Sequence, residues 1–161
     1  MAISETNFTN DKTFDERYHR AAPAVICIIY NRNGEVLMNL RKNKFDAGKH
    51  SIPGGVLEPK DKLIINTAVR EIFEETGLVF RPDQLTIVGA LNRMLPDYHA
   101  IEFVAVGKYE DATGALENRE PNKSEYLKFF DLKNLPENTS EYARTAIHNY
   151  LNHTFFADID Y

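Results

Sequence analysis

The sequence predicts an α/β fold: an α/β/α sandwich with a central mixed β-sheet. Three observations carry the prediction. A short, β-branched apolar run, AVICIIY at Ala24–Tyr30, stands before a segment with helical periodicity. Two longer strand-like runs follow it, and an amphipathic segment lies near the end. Strands on both sides of a helix, then a closing helix, pack as helices on the faces of one sheet.

Taken in order, residues 1–20 are polar and mixed in charge, with Phe8, Phe14 and Tyr18 as candidate anchors, and are read as a lead-in. Residues 21–161 are read as a single domain. Ala24–Tyr30 is a buried strand, and Asn31-Arg32-Asn33-Gly34 is a turn carrying the Asn-Gly hairpin signal. Glu35–Arg41 returns as its partner, and Lys42–His50 is a basic loop leading to Pro53-Gly54-Gly55. A helix is expected from about Lys62 to Thr76, with Ile64, Ala68 and Ile72 forming its core stripe and Gly77 the left-handed residue past its end. Leu78–Phe80 reads as a short strand, and Leu85–Arg93 and Ala100–Tyr109 as longer ones joined by a connector at residues 94–99. Glu110–Lys123 is a polar loop, Tyr126–Asp131 a strand and Ser140–Asn152 a second helix with Tyr142, Ala146, Ile147 and Tyr150 on its apolar side. The tail from His153 is aromatic and acidic.

Composition narrows the function classes. A chain of 161 residues with 43% hydrophobic and 27% charged residues suits one globular domain. A net charge of −5 gives no general attraction to nucleic acid, so no stable nucleic-acid binding is expected. The single cysteine, Cys27, has no intrachain disulfide partner and suits a reducing compartment. The polar N-terminus lacks the apolar core of a signal peptide, and no run approaches the ~20 apolar residues of a membrane span. A cytoplasmic location and no membrane partner are the expectations.

Chemistry concentrates between Pro53 and Leu78. Gly54 and Gly55 allow backbone to approach a ligand closely. Glu71, Glu74 and Glu75 share one helical face, where each repulsive pair costs about 0.2–0.5 kcal/mol in an isolated helix. A hard divalent cation removes that cost, and Mg²⁺ takes a few carboxylates together with waters and phosphates. Arg70 points about 100° round the helix and is free to hold a carboxylate or the turn. Without the glycines, the same pattern describes a solvated acidic face with an arginine counter-charge.

The stretch Gly55 to Leu78, with Arg70-Glu71-Ile72-Phe73-Glu74-Glu75-Thr76-Gly77-Leu78 as its second half, resembles the signature of the Nudix (MutT-like) hydrolases. It departs from that signature twice. Asp61 stands where the family has Glu, and eight residues rather than seven separate it from Arg70. Asp61 is either the shortened equivalent of that Glu or a helix N-cap.

The resemblance implies a Nudix α/β/α sandwich over about Ala22–Leu151. It also implies a Mg²⁺-dependent enzyme, with Mn²⁺ as an alternative metal, that cleaves a nucleoside diphosphate linked to another group. It places Gly54, Glu71, Glu74 and Glu75 as metal ligands. One of the glutamates assists the attacking water, and Arg70 fixes the carboxylates. It places Arg41 against the phosphates and Gly55 beside the substrate. Asp97, Glu102 and Glu120 are further acidic candidates, each also readable as a surface residue.

Three more stretches are similar to the nucleoside triphosphate pyrophosphohydrolase group: Ala47–Gly55 with His50 in place of Trp, Tyr98-His99, and Asn118–Lys123. They add His99 and Lys123 as substrate-binding candidates. Leu127 and Phe129 stand where that group carries Trp-x-Trp. The implied reaction converts nucleoside triphosphates, including oxidised ones such as 8-oxo-dGTP, to monophosphate and pyrophosphate. The alternatives are hydrolysis of ADP-ribose, dinucleoside polyphosphates or coenzyme A, or a non-catalytic nucleotide-sensing module. A small-molecule nucleotide is the expected partner, and a homodimer is implied by resemblance alone.

Overall fold

The first apolar run becomes the middle of the molecule. The computed structural model describes residues 20–95 and 98–160; the lead-in anchors, Pro96 and Asp97 lie outside the described residues. Strand β1 (Ala22–Tyr30) is buried on both faces. Ile26 and Ile28 point to one side, and Val25, Cys27 and Ile29 to the other, as period-2 alternation requires. Strands β2 (Glu35–Arg41), β3 (His50–Ser51), β4 (Gly54–Val56), β5 (Thr86–Leu95), β6 (Tyr98–Lys108), β7 (Ser124–Asp131) and β8 (Phe156–Asp160) complete the sheet. Its order is β3-β2-β1-β6-β5-β8, with β4 paired to β1 and β7 to β2. β1–β6 and β5–β8 are parallel and the other pairs antiparallel, so the sheet is mixed as expected.

Helix α1 (Ile64–Thr76) covers one face through Ala68 and Ile72. Helix α2 (Glu141–Leu151) covers the other through Tyr142, Ala143, Ala146 and Ile147. Gly77 ends α1 at φ 74°, and its N–H donates to the Phe73 carbonyl at 3.0 Å, the left-handed cap expected of it. None of the helices is long and apolar enough to cross a membrane among the described residues.

The structure corrects several boundaries. α1 begins at Ile64, after Leu63, and Asp61 does not cap it. Met94, Leu95, Tyr98 and His99, expected in a connector, are strand. Leu78–Phe80 makes only an isolated bridge, Val79 to Thr113. The tail, read without structure, adds edge strand β8 alongside β5.

One irregularity creates the cleft. β1 and β2 are in register at Tyr30–Val36. Towards its other end, β1 pairs instead with β4, matching Ala24–Ile26 to Val56–Gly54. The Pro-Gly-Gly turn is thereby inserted between two splayed strands, fixed by a bond from the Cys27 N–H to the Pro53 carbonyl at 2.7 Å.

Candidate active site

Gly54 and Gly55 form a thin wall because neither has a side chain. A Cβ at Gly54 would lie 2.3 Å from the Val25 carbonyl oxygen, and one at Gly55 would lie 2.2 Å from Oε1 of Glu71. Two compartments share this wall and the side chain of Arg41. Their volumes are about 270 and 220 Å³, together on the scale of a small-molecule site (roughly 300–1,000 Å³).

The larger compartment is polar. Glu71, Glu75, Glu120, Asn39 and Lys123 line it with Arg41. Burial, then the charges of Glu71 and Glu120, pushes the Glu75 carboxyl up to about 8, against the pull of Arg41 and the Gly54 N–H. Glu75 Oε2 is buried without a hydrogen-bond partner. Burial also raises Glu71, although Arg70 pulls it down. Lys123 Nζ donates to Glu120 Oε1 at 2.6 Å, and this bond raises the Lys123 pKa.

Arg70 works on the outer side of α1. Its Nη2 donates to the Val56 carbonyl at 3.0 Å and to Asp61 Oδ2 at 2.9 Å, and its Nε to Asp61 Oδ1 at 3.0 Å. Its Nη1 donates to Glu71 Oε1 at 2.7 Å and to Glu74 Oε2 at 3.0 Å. Asp61 also accepts the Glu58 N–H and the Thr67 hydroxyl. The Arg70 bond, helped by these two, holds Asp61 down at about 2. Asp61 is therefore a buried partner of Arg70 and not a helix cap.

The smaller compartment is aromatic and charged in a different way. Arg41, Phe45, Arg93, Tyr98, Glu102 and Tyr142 line it. The Arg41 Nε donates to the Phe45 carbonyl at 3.1 Å, and its Nη1 to the Tyr142 hydroxyl at 3.4 Å.

The structure thus brings Arg41, Gly54, Gly55, Glu71, Glu75 and Lys123 to one place. It does not bring Glu74 there: that side chain is exposed and tied to Arg70. Nor does His99 line either compartment; its Nε2 meets Asn92 Oδ1, while its strand neighbour Tyr98 faces the cleft. Glu102, readable as a surface residue, is only 4% exposed. Leu127 and Phe129 pack with the α1-side core, and His50 is buried between Asn138 and Tyr126. Arg93, expected at a strand end, lies within β5 and lines the smaller compartment.

Among the described residues, no three carboxylate, histidine or cysteine side chains stand close enough to cage a metal by themselves. The donor set nevertheless fits a divalent ion. Glu71, Glu75 and Glu120 are hard oxygen donors. The charges of Glu71 and Glu120 raise the proton affinity of Glu75, that of Glu120 also raises Glu71, and Mg²⁺ is commonly completed by water and substrate phosphates.

Comparison with known proteins agrees with this fold. MutT NUDIX hydrolase from Burkholderia pseudomallei is similar at 25% identity and TM-score 0.69, over 81% of this chain and 98% of that one. MutT protein from Methanosarcina mazei Go1 is similar at 26% identity and TM-score 0.66, over 82% and 94%. The NUDIX domain of Shewanella oneidensis NrtR, solved with ADP ribose, shares the fold at 14% identity and TM-score 0.68, over 94% and 98%. No curated protein matches the chain. The NUDIX domain family matches residues 20–150, and the chain belongs to that family.

Proposed function

We propose that this Nudix hydrolase cleaves nucleoside triphosphates to monophosphate and pyrophosphate with the aid of Mg²⁺. Action on phosphoanhydride bonds follows from the family; the triphosphate substrate and the metal are our reading. One observation carries it: an acidic compartment flanked by Arg41 and Lys123 adjoins a second compartment with aromatic walls. That pairing suits a polyphosphate on one side of the glycine wall and a nucleoside on the other.

In this reading Glu71 and Glu75 hold the metal, with Glu120 and the Gly54 backbone beside them. A bound Mg²⁺ supplies phosphate polarisation and an acidified water. Arg41 faces both compartments and binds phosphate oxygens where they cross the wall, a task suited to the guanidinium fork. Lys123 offsets charge on the leaving pyrophosphate. Glu75 holds its proton up to about pH 8 in the metal-free site, so metal binding displaces it. Arg70 is a positioning residue that fixes Glu71 through its Nη1.

A substrate panel with Mg²⁺ tests this reading, following pyrophosphate and nucleotide products together. Its members are canonical triphosphates, 8-oxo-dGTP, ADP-ribose, diadenosine polyphosphates and coenzyme A. Monophosphate plus pyrophosphate from triphosphates is expected. Turnover confined to ADP-ribose, dinucleotides or coenzyme A would replace the substrate assignment, and no turnover by folded protein would favour a sensing role.

A further inference from the structure

Arg93 and Glu102 place a charged pair on an otherwise apolar surface. On the α2 side of the sheet, β5 presents Leu91 and then Arg93, while β6 presents Val106, Val104 and then Glu102. Both charged residues are more than nine-tenths buried, Arg93 at 7% exposure and Glu102 at 4%. Their one contact runs from Arg93 Nη2 to Glu102 Oε1 at 2.5 Å. The Arg93 guanidinium lies over the Tyr142 ring at 4.4 Å and near the Phe45 ring at 5.6 Å.

The pair is incompletely satisfied. Among the described residues, Arg93 Nε and Nη1 and Glu102 Oε2 have no hydrogen-bond partner and are buried. A buried ion pair offsets its desolvation only when the remaining donors and acceptors are also bonded, and unpaired buried polar atoms in a native structure call for a partner. Both side chains line the compartment beyond the glycine wall. The missing partner must therefore accept from a guanidinium and donate to a carboxylate along one edge.

We propose that Arg93 and Glu102 read the substrate base and select rings that present a carbonyl beside a ring N–H: guanine, hypoxanthine, uracil and thymine. The carbonyl accepts from Arg93 and the ring N–H donates to Glu102. A carbonyl oxygen carries more negative charge than the bare ring nitrogen of adenine or cytosine. A ring amide N–H is also more acidic than an exocyclic amine. Both bonds to the charged pair are therefore stronger for the carbonyl class. The inference rests on the nucleotide reading above, and it disfavours adenine-containing alternatives such as ADP-ribose.

Two arms test it. In the first, kcat/KM is compared for GTP, ITP and UTP against ATP and CTP. The expected preference for the first group is on the order of 10-fold or more, the worth of one bond to a charged group. In the second, thermal shifts with GMP and AMP are measured on metal-free protein, and GMP should give the larger shift. Glu102→Gln, which replaces the acceptor by a donating amide, should bring both ratios towards one. If that variant does not fold, Arg93→Leu/Glu102→Leu removes the pair together, an exchange often neutral for stability, and should have the same effect.

Equal ratios in the wild type, a preference for ATP and CTP, or a preference that survives loss of the pair would each overturn the inference. So would equal shifts, or none, from GMP and AMP. Absence of triphosphate turnover would overturn the proposed function instead, and the monophosphate arm would still decide the role of the pair.

Discussion

Helix α1 carries two acidic neighbourhoods that the protein treats in opposite ways. On the outer side, Asp61 and Glu74 are neutralised by Arg70, and Asp61 is held down at about 2. On the cleft side, Glu75 has no ion-pair partner among the described residues, faces Glu71 and Glu120, and is pushed up to about 8 against the pull of Arg41. Glu71 stands between them, with one oxygen on Arg70 and its side chain in the cleft. The contrast separates acids that an arginine satisfies from a buried acid left among like charges, the one that the proposed cation would relieve.

The outer set should dominate stability. Arg70→Met strands Asp61, whose side chain is only 4% exposed, and such a broken buried pair costs about 3–5 kcal/mol. Urea unfolding should show that loss, and Arg70→Met/Asp61→Asn should recover much of it. A stable single variant would place Asp61 among exposed, dispensable pairs.

The cleft set should dominate turnover. Glu75→Gln should lower Mg²⁺-dependent kcat by on the order of 100-fold without lowering the melting temperature at pH 8. Unfolding of this variant would break the distinction. Gly55→Ala inserts a methyl group against the Glu71 carboxylate. It should reduce turnover by roughly 10-fold with little change in stability.

pH separates the two sets by sign. Asp61 titrates lower folded than unfolded, so its stabilisation is present above about pH 4 and lost as pH falls towards 2. Glu75 titrates higher folded than unfolded. Its contribution is present below its ordinary value near 4.5 and is lost as pH rises through about 8. A cation relieves only the second loss. Mg²⁺ should therefore raise the melting temperature more at pH 8.5 than at pH 6, and a uniform shift would contradict the assignment. The smallest effect is expected from Glu74→Gln, whose carboxylate lies on Arg70 outside the cleft. A loss of activity equal to that of Glu75→Gln would show that Glu74 leaves Arg70 to join the metal.

Much of this was legible from local pattern. The Ile64–Ala68–Ile72 stripe, the Gly77 cap and the apolar β1 run are short-range signals, and all three stand as read. β8 was not legible because its pairing partner, β5, lies more than sixty positions away. β3 is only two residues long and pairs with β2. Spacing put Glu71, Glu74 and Glu75 on one helical face but did not show that only Glu71 and Glu75 line the cleft while Glu74 turns to Arg70, because that competing geometry is three-dimensional. Glu102 looked like a surface residue because its burial depends on β1, distant in sequence, and on Arg93 of the neighbouring strand.

The shared glycine wall also bears on evolvability. The acids of α1 and the Arg93–Glu102 pair of the β5–β6 hairpin lie on opposite sides of it and have only Arg41, Gly54 and Gly55 in common. On the proposed assignments, mutational drift in the hairpin would rewrite which molecule is accepted while leaving the acids of α1 intact. The wall itself has almost no room to vary, since each glycine would drive even a methyl group into backbone or a site carboxylate. Diversification in such a scaffold should accumulate in the hairpin and around Phe45, with the two glycines as its fixed point.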